Sequence, residues 1–123
     1  MITIASHIMT FSPARLNVND LLSKAVHLMV EGNFRHLPVV DNRKVVGMVS
    51  IFDLIVIKPE NIDNTTAGQI MTTPALTTRI DSSLEKVVQL FTKQNMHAIP
   101  VVDFEGQLAG IISSVDLIDY LNN

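Results

Sequence analysis

Residues 36–55 read HLPVVDNRKVVGMVSIFDLI, and residues 98–118 read AIPVVDFEGQLAGIISSVDLI. Each stretch contains two apolar runs around a polar turn, and a Ser followed three residues later by an Asp comes after the second run. Two short apolar runs separated by a turn predict a pair of buried strands, and Ser-x-x-Asp predicts the start of a helix. The chain therefore contains the same strand, turn, strand and helix twice.

The correspondence continues upstream of both stretches. The tripeptide IMT at residues 8–10 recurs at residues 70–72, 62 positions later. Between each tripeptide and its strands, apolar residues at helical spacing predict an amphipathic helix, over residues 22–29 in the first copy and 84–91 in the second. Two equivalent units thus make up the chain.

Polar residues mark both ends of these helices. Asn19 or Asp20 is the expected N-cap of the first helix, and Ser82 is the expected N-cap of the second. Asn33 and Asn95 follow the two helices, where Asn tolerates the left-handed backbone that ends a helix.

The order of elements predicts an α+β fold. Residues 1–58 form the first repeat, 59–66 a polar linker, and 67–123 the second repeat. A unit of this length buries too little apolar surface to be stable alone, so we expect the two copies to pack together and share a core.

Composition excludes several classes of function. A formal charge of −3 without a basic run gives no footprint for duplex nucleic acid, and no apolar stretch approaches the length of about 20 residues that a membrane span needs. The chain has no cysteine, and its histidines lack metal-ligand spacing. We find no nucleophile motif or phosphate-binding glycine loop, so we expect that the protein is not an enzyme. From the missing membrane span and the missing metal-ligand spacing, we expect a cytoplasmic protein that holds no metal.

The motifs and their order resemble the tandem cystathionine beta-synthase (CBS) domain pair, also called a Bateman module. The resemblance covers roughly residues 6–120. It implies two β-α-β-β-α repeats about a pseudo-twofold axis, with clefts that hold AMP, ADP, ATP or S-adenosylmethionine. It also implies a regulatory role and assembly into a homodimer.

Two Ser and Asp pairs are the central candidates for ligand contact. By resemblance, Asp53 and Asp116 bind ribose hydroxyls, while Ser50 and Ser113 contact phosphate. A helix start offers unpaired backbone N–H groups to an anion, and a carboxylate one turn in can accept two bonds from a vicinal diol. The alternative is that each pair is an ordinary capping box, and the two roles can coexist.

Basic residues precede both shared prolines, namely Arg35 and His36 in the first copy and His97 in the second. The resemblance implies that they face phosphates, and the alternative is a solvated surface role. Ala98 replaces His36 in the second copy, so we expect the two clefts to differ.

The resemblance also assigns residues of both repeats to each cleft. The Asp116 cleft would use Ser12, Ala14, Phe34, Arg35, His97 and Ile111. The Asp53 cleft would use Pro74, Leu76, Met96, His97, Arg35, Met48 and Ser50. Phe34 and Met96 are candidates to line the base, or are ordinary packing residues.

Two functions follow as hypotheses. The first is an adenine-nucleotide sensor that acts in trans on a partner protein. The second is a ligand-independent assembly scaffold. In both cases we expect a homodimer, because the closing helices carry apolar residues that one shared core does not cover, namely Leu54, Ile55, Ile57, Leu117, Ile118 and Leu121.

Overall fold

The computed structural model describes residues 2–73 and 75–122, and these form short helices and strands. In chain order the elements are α1 (Ala5–Ile8), β1 (Thr10–Phe11), β2 (Leu16–Asn17), α2 (Leu22–Gly32), β3 (His36–Asp41), β4 (Lys44–Ser50), α3 (Ile51–Ile55), a 3-10 turn (Pro59–Asn61), α4 (Ala67–Ile70), β5 (Thr78–Arg79), α5 (Leu84–Lys93), β6 (Ala98–Val102), β7 (Leu108–Ser113) and α6 (Ser114–Leu121). The predicted α+β class is confirmed.

The chain divides into two compact units. The first-repeat unit is Ala14–Ala75, and the second-repeat unit is Met1–Pro13 together with Leu76–Asn123. These boundaries cut across the repeats of the sequence, because the segment that precedes β2 belongs with the second repeat.

A three-stranded sheet, in the order β2-β3-β4, forms the first-repeat unit. Strand β2 runs parallel to β3, with Leu16 opposite Val39, and β3 runs antiparallel to β4, with Leu37 opposite Val49. These four side chains are fully buried and pack with residues of α2 and α4 into one apolar cluster.

A four-stranded sheet, in the order β1-β7-β6-β5, forms the second-repeat unit. The β5, β6 and β7 pairing repeats that of β2, β3 and β4, with Thr78 opposite Val101 and Ile99 opposite Ile112. Strand β1 pairs antiparallel with β7 through Thr10 and Phe11, and its counterpart in the first-repeat unit is the single antiparallel bridge between Met48 and Thr72.

The N-terminal segment is bonded to the second-repeat unit along its length. The Ala5 N–H donates to the Ser82 carbonyl at 2.8 Å, and the Ser6 N–H donates to the Ile80 carbonyl at 3.0 Å. The first-repeat unit has the same two bonds, from Ala67 to Asp20 at 2.8 Å and from Gly68 to Val18 at 2.9 Å. Each unit is therefore completed by the segment that leads into the other repeat.

Two glycines let these segments lie against the strands. A Cβ on Gly110 would come within 2.4 Å of Met9 Sδ and 2.8 Å of the Thr10 carbonyl oxygen. A Cβ on Gly47 would come within 2.5 Å of Met71 Sδ. Both strands thus need a residue without a side chain where the methionine crosses them.

The predicted N-cap of α2 is wrong. Leu21 occupies the N-cap position and makes no side-chain cap, and neither Asn19 nor Asp20 takes that position. The Asp20 carboxylate instead accepts from the Asn17 N–H at 2.7 Å and pairs with Lys24 at 3.2 Å. Asp20 therefore closes the turn before the helix.

The predicted N-cap of α5 is wrong by one residue. Ser83 is the cap, and its Oγ accepts a backbone N–H at 3.2 Å. Ser82 is buried, and its Oγ accepts from the Arg79 N–H at 3.1 Å in the preceding turn. The predicted left-handed residues are confirmed, with φ of 56° at Asn33 and 54° at Asn95.

Candidate functional site

Ser50 lies where β4 ends and α3 begins. Its N–H donates to Asp53 Oδ2 at 2.7 Å, and its Oγ accepts from the Asp53 N–H at 3.3 Å. Both residues are half-buried. This arrangement is a complete capping box, so the capping interpretation is confirmed for the first repeat.

Ser113 forms the same box at the start of α6, with additional donors. Asp116 Oδ2 accepts the Ser113 N–H at 2.7 Å and the Ser113 Oγ hydroxyl at 3.0 Å. Asp116 Oδ1 accepts the Thr10 hydroxyl at 3.1 Å. The sequence assigned no role to Thr10, although its recurrence in the IMT tripeptide was a signal.

The segment that completes each unit, containing Thr10 in one unit and Thr72 in the other, runs beside the box of that unit. In the second-repeat unit, Thr10 lies opposite Ile111 on β7. In the first-repeat unit, the backbones of Thr72 and Met48 exchange two bonds, of 2.9 and 3.3 Å. Met48 and Ile111, both predicted site residues, therefore occupy equivalent half-buried positions.

Arg35 and His97 also occupy equivalent positions. The Arg35 carbonyl accepts the Ile51 N–H at 2.8 Å, and the His97 carbonyl accepts the Ser114 N–H at 3.3 Å. Each of these carbonyls thus accepts a backbone N–H from the first turn of the helix that a box begins. Both side chains are exposed, and this places a basic group next to each helix start.

The next residue along the strand differs between the repeats. His36 is half-buried and lies opposite Ser50, whereas Ala98 is buried and lies opposite Ser113. The sequence difference between these positions therefore falls directly beside the two boxes.

The other predicted site residues divide between the units. Those in the second-repeat unit are Ser12, Leu76 and Met96, and those in the first-repeat unit are Ala14 and Phe34. Ser12 has a φ of 46° and donates its N–H to the Ala109 carbonyl at 3.3 Å. Pro74 lies outside the described residues. The grouping of these residues into shared clefts stays a prediction.

Phe34 has a structural partner. A Cβ on Gly32 would lie 2.2 Å from ring atom Cε2, so the ring packs directly against the end of α2. The side chain is still 40% exposed. One face of the ring is therefore used in packing, and part of its surface is open to solvent.

The described residues provide hydrogen-bonding groups and offer no metal-binding cluster. No group of three His, Asp or Glu side chains that could hold an ion occurs in residues 2–73 and 75–122. Within the same ranges, no helix has the length and apolar character that crossing a bilayer requires. Both boxes present backbone donors, a hydroxyl and a carboxylate as hydrogen-bonding groups.

The repeats match a known protein family. The CBS domain model matches residues 5–59 and 67–123, so the chain belongs to the CBS domain family. Both copies of the motif that define the boxes lie within the matched ranges.

Solved structures have the same fold over almost the whole chain. CBSX2 in complex with AMP is 25% identical, with a TM-score of 0.87 over 97% of this chain and 96% of that one. The CBS domain pair of protein MJ0100, in complex with 5′-methylthioadenosine and S-adenosyl-L-methionine, is 27% identical, with a TM-score of 0.82 over 99% of this chain and 98% of that one.

A curated relative is much longer than this chain. The homoserine O-acetyltransferase of Methanococcus vannielii is 32% identical over 117 residues, which are 93% of this chain and 24% of the relative. The chain thus spans about a quarter of the length of the curated relatives it matches first. Their enzyme names describe the whole proteins.

Proposed function

We propose that this chain is a regulatory module that binds an adenine nucleotide and acts in trans on a partner protein. The observation that carries the proposal is the duplicated Ser and Asp box at a strand-to-helix junction, with a basic residue beside each helix start. Two similar structures of matching length contain adenine compounds. CBSX2 holds AMP, and the CBS domain pair of MJ0100 holds 5′-methylthioadenosine and S-adenosyl-L-methionine.

The carboxylates are the proposed ribose contacts. Asp53 and Asp116 are half-buried, so each is partly withdrawn from water and still reachable by a ligand. An ionised carboxylate accepts hydrogen bonds that are about twice as strong as those between neutral groups. A vicinal diol supplies two donors to such a group, and this favours a nucleoside over a simple anion.

The basic side chains are the proposed phosphate contacts. Arg35 and His97 are exposed beside their boxes, and His36 lies opposite Ser50. An Arg guanidinium binds phosphate in a bidentate manner. Because Ala98 stands where the first repeat has His36, we propose that the two repeats prefer ligands of different phosphate content. AMP, ADP, ATP and S-adenosylmethionine are the candidate ligands.

We further propose that the protein acts as a homodimer. Of the apolar residues predicted to need cover, Ile55, Ile118 and Leu121 are exposed on the closing helices, and Leu54, Ile57 and Leu117 are half-buried. Exposed apolar faces of this kind are typical of interfaces. Light scattering is expected to return twice the 13.6 kDa mass of the single chain.

A ligand-independent assembly scaffold is the second candidate. The specific observation in its favour is that the Ser and Asp of both boxes cap the starts of α3 and α6 by bonding to each other. Under this hypothesis the Ser and Asp pairs only stabilise helices, and the exposed apolar residues perform the function.

Thermal unfolding with a panel of nucleotides distinguishes the two candidates. Adenine compounds are expected to raise the Tm more than their guanine and pyrimidine counterparts, because a ligand selective for the folded state stabilises it by about 2.7 kcal/mol at one hundred times Kd. If no adenine compound shifts the Tm at millimolar concentration, the sensor is rejected in favour of the scaffold.

A further inference from the structure

The carboxylates of the two boxes carry different numbers of hydrogen bonds. From the part of the chain that the structure describes, Asp53 accepts one, from the Ser50 N–H to Oδ2 at 2.7 Å. Asp116 accepts three, from the Ser113 N–H at 2.7 Å, the Ser113 hydroxyl at 3.0 Å and the Thr10 hydroxyl at 3.1 Å. Among the described residues, Thr72, which corresponds to Thr10, makes no bond to Asp53.

This difference decides how much capacity is left for a ligand. An ionised carboxylate has about four acceptor positions on its two oxygens. Asp53 therefore keeps about three of them, enough for both hydroxyls of a vicinal diol. Asp116 keeps about one, so it can accept only half of a diol unless a donor leaves.

Thr10 is the donor that matters most, because among residues 2–73 and 75–122 it is the one that bonds to Asp116 Oδ1. The Ser113 hydroxyl bonds to Oδ2, and the Ser113 N–H is fixed there by the cap of α6. Thr10 is exposed, so rotation of its side chain about χ1 can move the hydroxyl into solvent.

The Thr10 backbone stays in place during such a rotation. Strand β1 pairs with β7 at Thr10 and Phe11, and the preceding Met9 is buried against Gly110. The hydroxyl is therefore held within reach of Asp116 at high effective concentration, and a ligand must compete with it.

We propose that Thr10 is an internal competitor for Asp116, so that a nucleotide ribose binds first at Asp53 and reaches Asp116 only by displacing the Thr10 hydroxyl. This inference rests on the proposed nucleotide function and adds an order of occupancy to it. The protein would then respond over two concentration ranges, set by one open and one self-occupied carboxylate.

The test measures AMP binding by calorimetry on protein stripped of bound nucleotide. In the Asp53→Ala variant, Asp116 is the one remaining ribose-binding carboxylate. Thr10→Val is then introduced into this variant. Because the added change removes a hydroxyl bonded to a charged group, AMP affinity is expected to rise by about tenfold. Thr10→Ser keeps the hydroxyl and is expected to retain the weak binding. In an Asp116→Ala background, the matched change Thr72→Val is expected to leave AMP affinity unaltered.

The outcomes separate this inference from the function on which it rests. If wild type binds AMP but Thr10→Val lowers affinity or leaves it unchanged in the Asp53→Ala background, Thr10 is a ligand contact or a bystander and the competitor is rejected. If wild type binds none of AMP, ATP and S-adenosylmethionine, the nucleotide function and the competitor are both rejected.

A measurement without ligand gives an independent check. Thr10→Val and Asp116→Ala are expected to shift the Tm non-additively, and additive shifts would show that the bond contributes nothing in solution.

Discussion

The first-repeat and second-repeat units share a backbone plan but differ in two side-chain environments. Leu16 fills the core of the first-repeat unit, whereas its counterpart Thr78 places a hydroxyl in the core of the second. At the boxes, Asp116 is bonded to Thr10 and Asp53 lacks such a partner among the described residues. Internal repetition thus fixes strand order and register, while single side chains set how stable and how accessible each unit is.

The largest expected effect is at position 16. Leu16→Ala removes a fully buried side chain and is expected to lower the free energy of unfolding by about 2–5 kcal/mol, since a cavity is left behind. Denaturant unfolding followed by circular dichroism measures the change. Val30→Ala is the control, because Val30 is 73% exposed on α2 of the same unit. A loss no greater than that of Val30→Ala would show that Leu16 is not a core residue.

The two glycines provide the next comparison. Gly110→Ala is expected to cost about 1–3 kcal/mol, and more than Gly47→Ala. The reason is that the new methyl at 110 meets the Thr10 carbonyl oxygen at 2.8 Å, whereas at 47 its nearest neighbours are side-chain atoms of Met71. Unfolding free energies of the two variants check this, and equal losses would contradict the account of β1.

Without nucleotide, the Asp53→Ala and Asp116→Ala variants are expected to lose different amounts of folding stability. Asp53→Ala removes the carboxylate half of the capping box at Ser50 and should cost about 1 kcal/mol. Asp116→Ala strands three donors and should cost about 1 kcal/mol more, because hydrogen bonds to a charged group are stronger than average. Thermal unfolding of stripped protein tests the order of the two variants. If Asp53→Ala proved the more destabilising variant, this would contradict the claim that Asp116 carries more hydrogen bonds than Asp53.

The smallest effect is expected to be a gain in stability. The Thr78 hydroxyl is buried and has no hydrogen-bond partner within the described part of the chain. Thr78→Val replaces it with a methyl group and should raise the free energy of unfolding by about 1 kcal/mol, since an unsatisfied buried donor is removed. Thr77→Val, a change next to β5, is the control. A loss of stability on Thr78→Val would indicate that the hydroxyl is satisfied in solution.

The sequence predicts the elements of this fold well and their ends less well. Apolar runs such as 37–40 and 99–102 appear as strands because burial on both faces requires continuous apolar residues. The caps Ser50 and Ser113 were predicted, since their Asp partners sit at the right spacing. Asp20 and Ser82 were misassigned, because a short polar side chain bonds equally well to the turn that precedes a helix.

The site was harder to predict than the fold. Asp53 and Asp116 are visible in the sequence as a duplicated motif, but the donor that separates them comes from Thr10, 106 residues away from Asp116. No local pattern marks such a contact. The repeated IMT tripeptide placed Thr10 and Thr72 in equivalent positions, and only the structure shows that they differ in bonding.

The most direct test of the nucleotide function is AMP titration of stripped wild type, Asp53→Ala and Asp116→Ala by isothermal calorimetry, with circular dichroism to verify folding. If the carboxylates hold the ribose, Asp53→Ala should lose the tighter site and weaken AMP binding by about ten- to a hundredfold. Asp116→Ala should abolish only the weaker site. Identical binding isotherms for all three proteins, or no binding heat in any of them, would contradict the account.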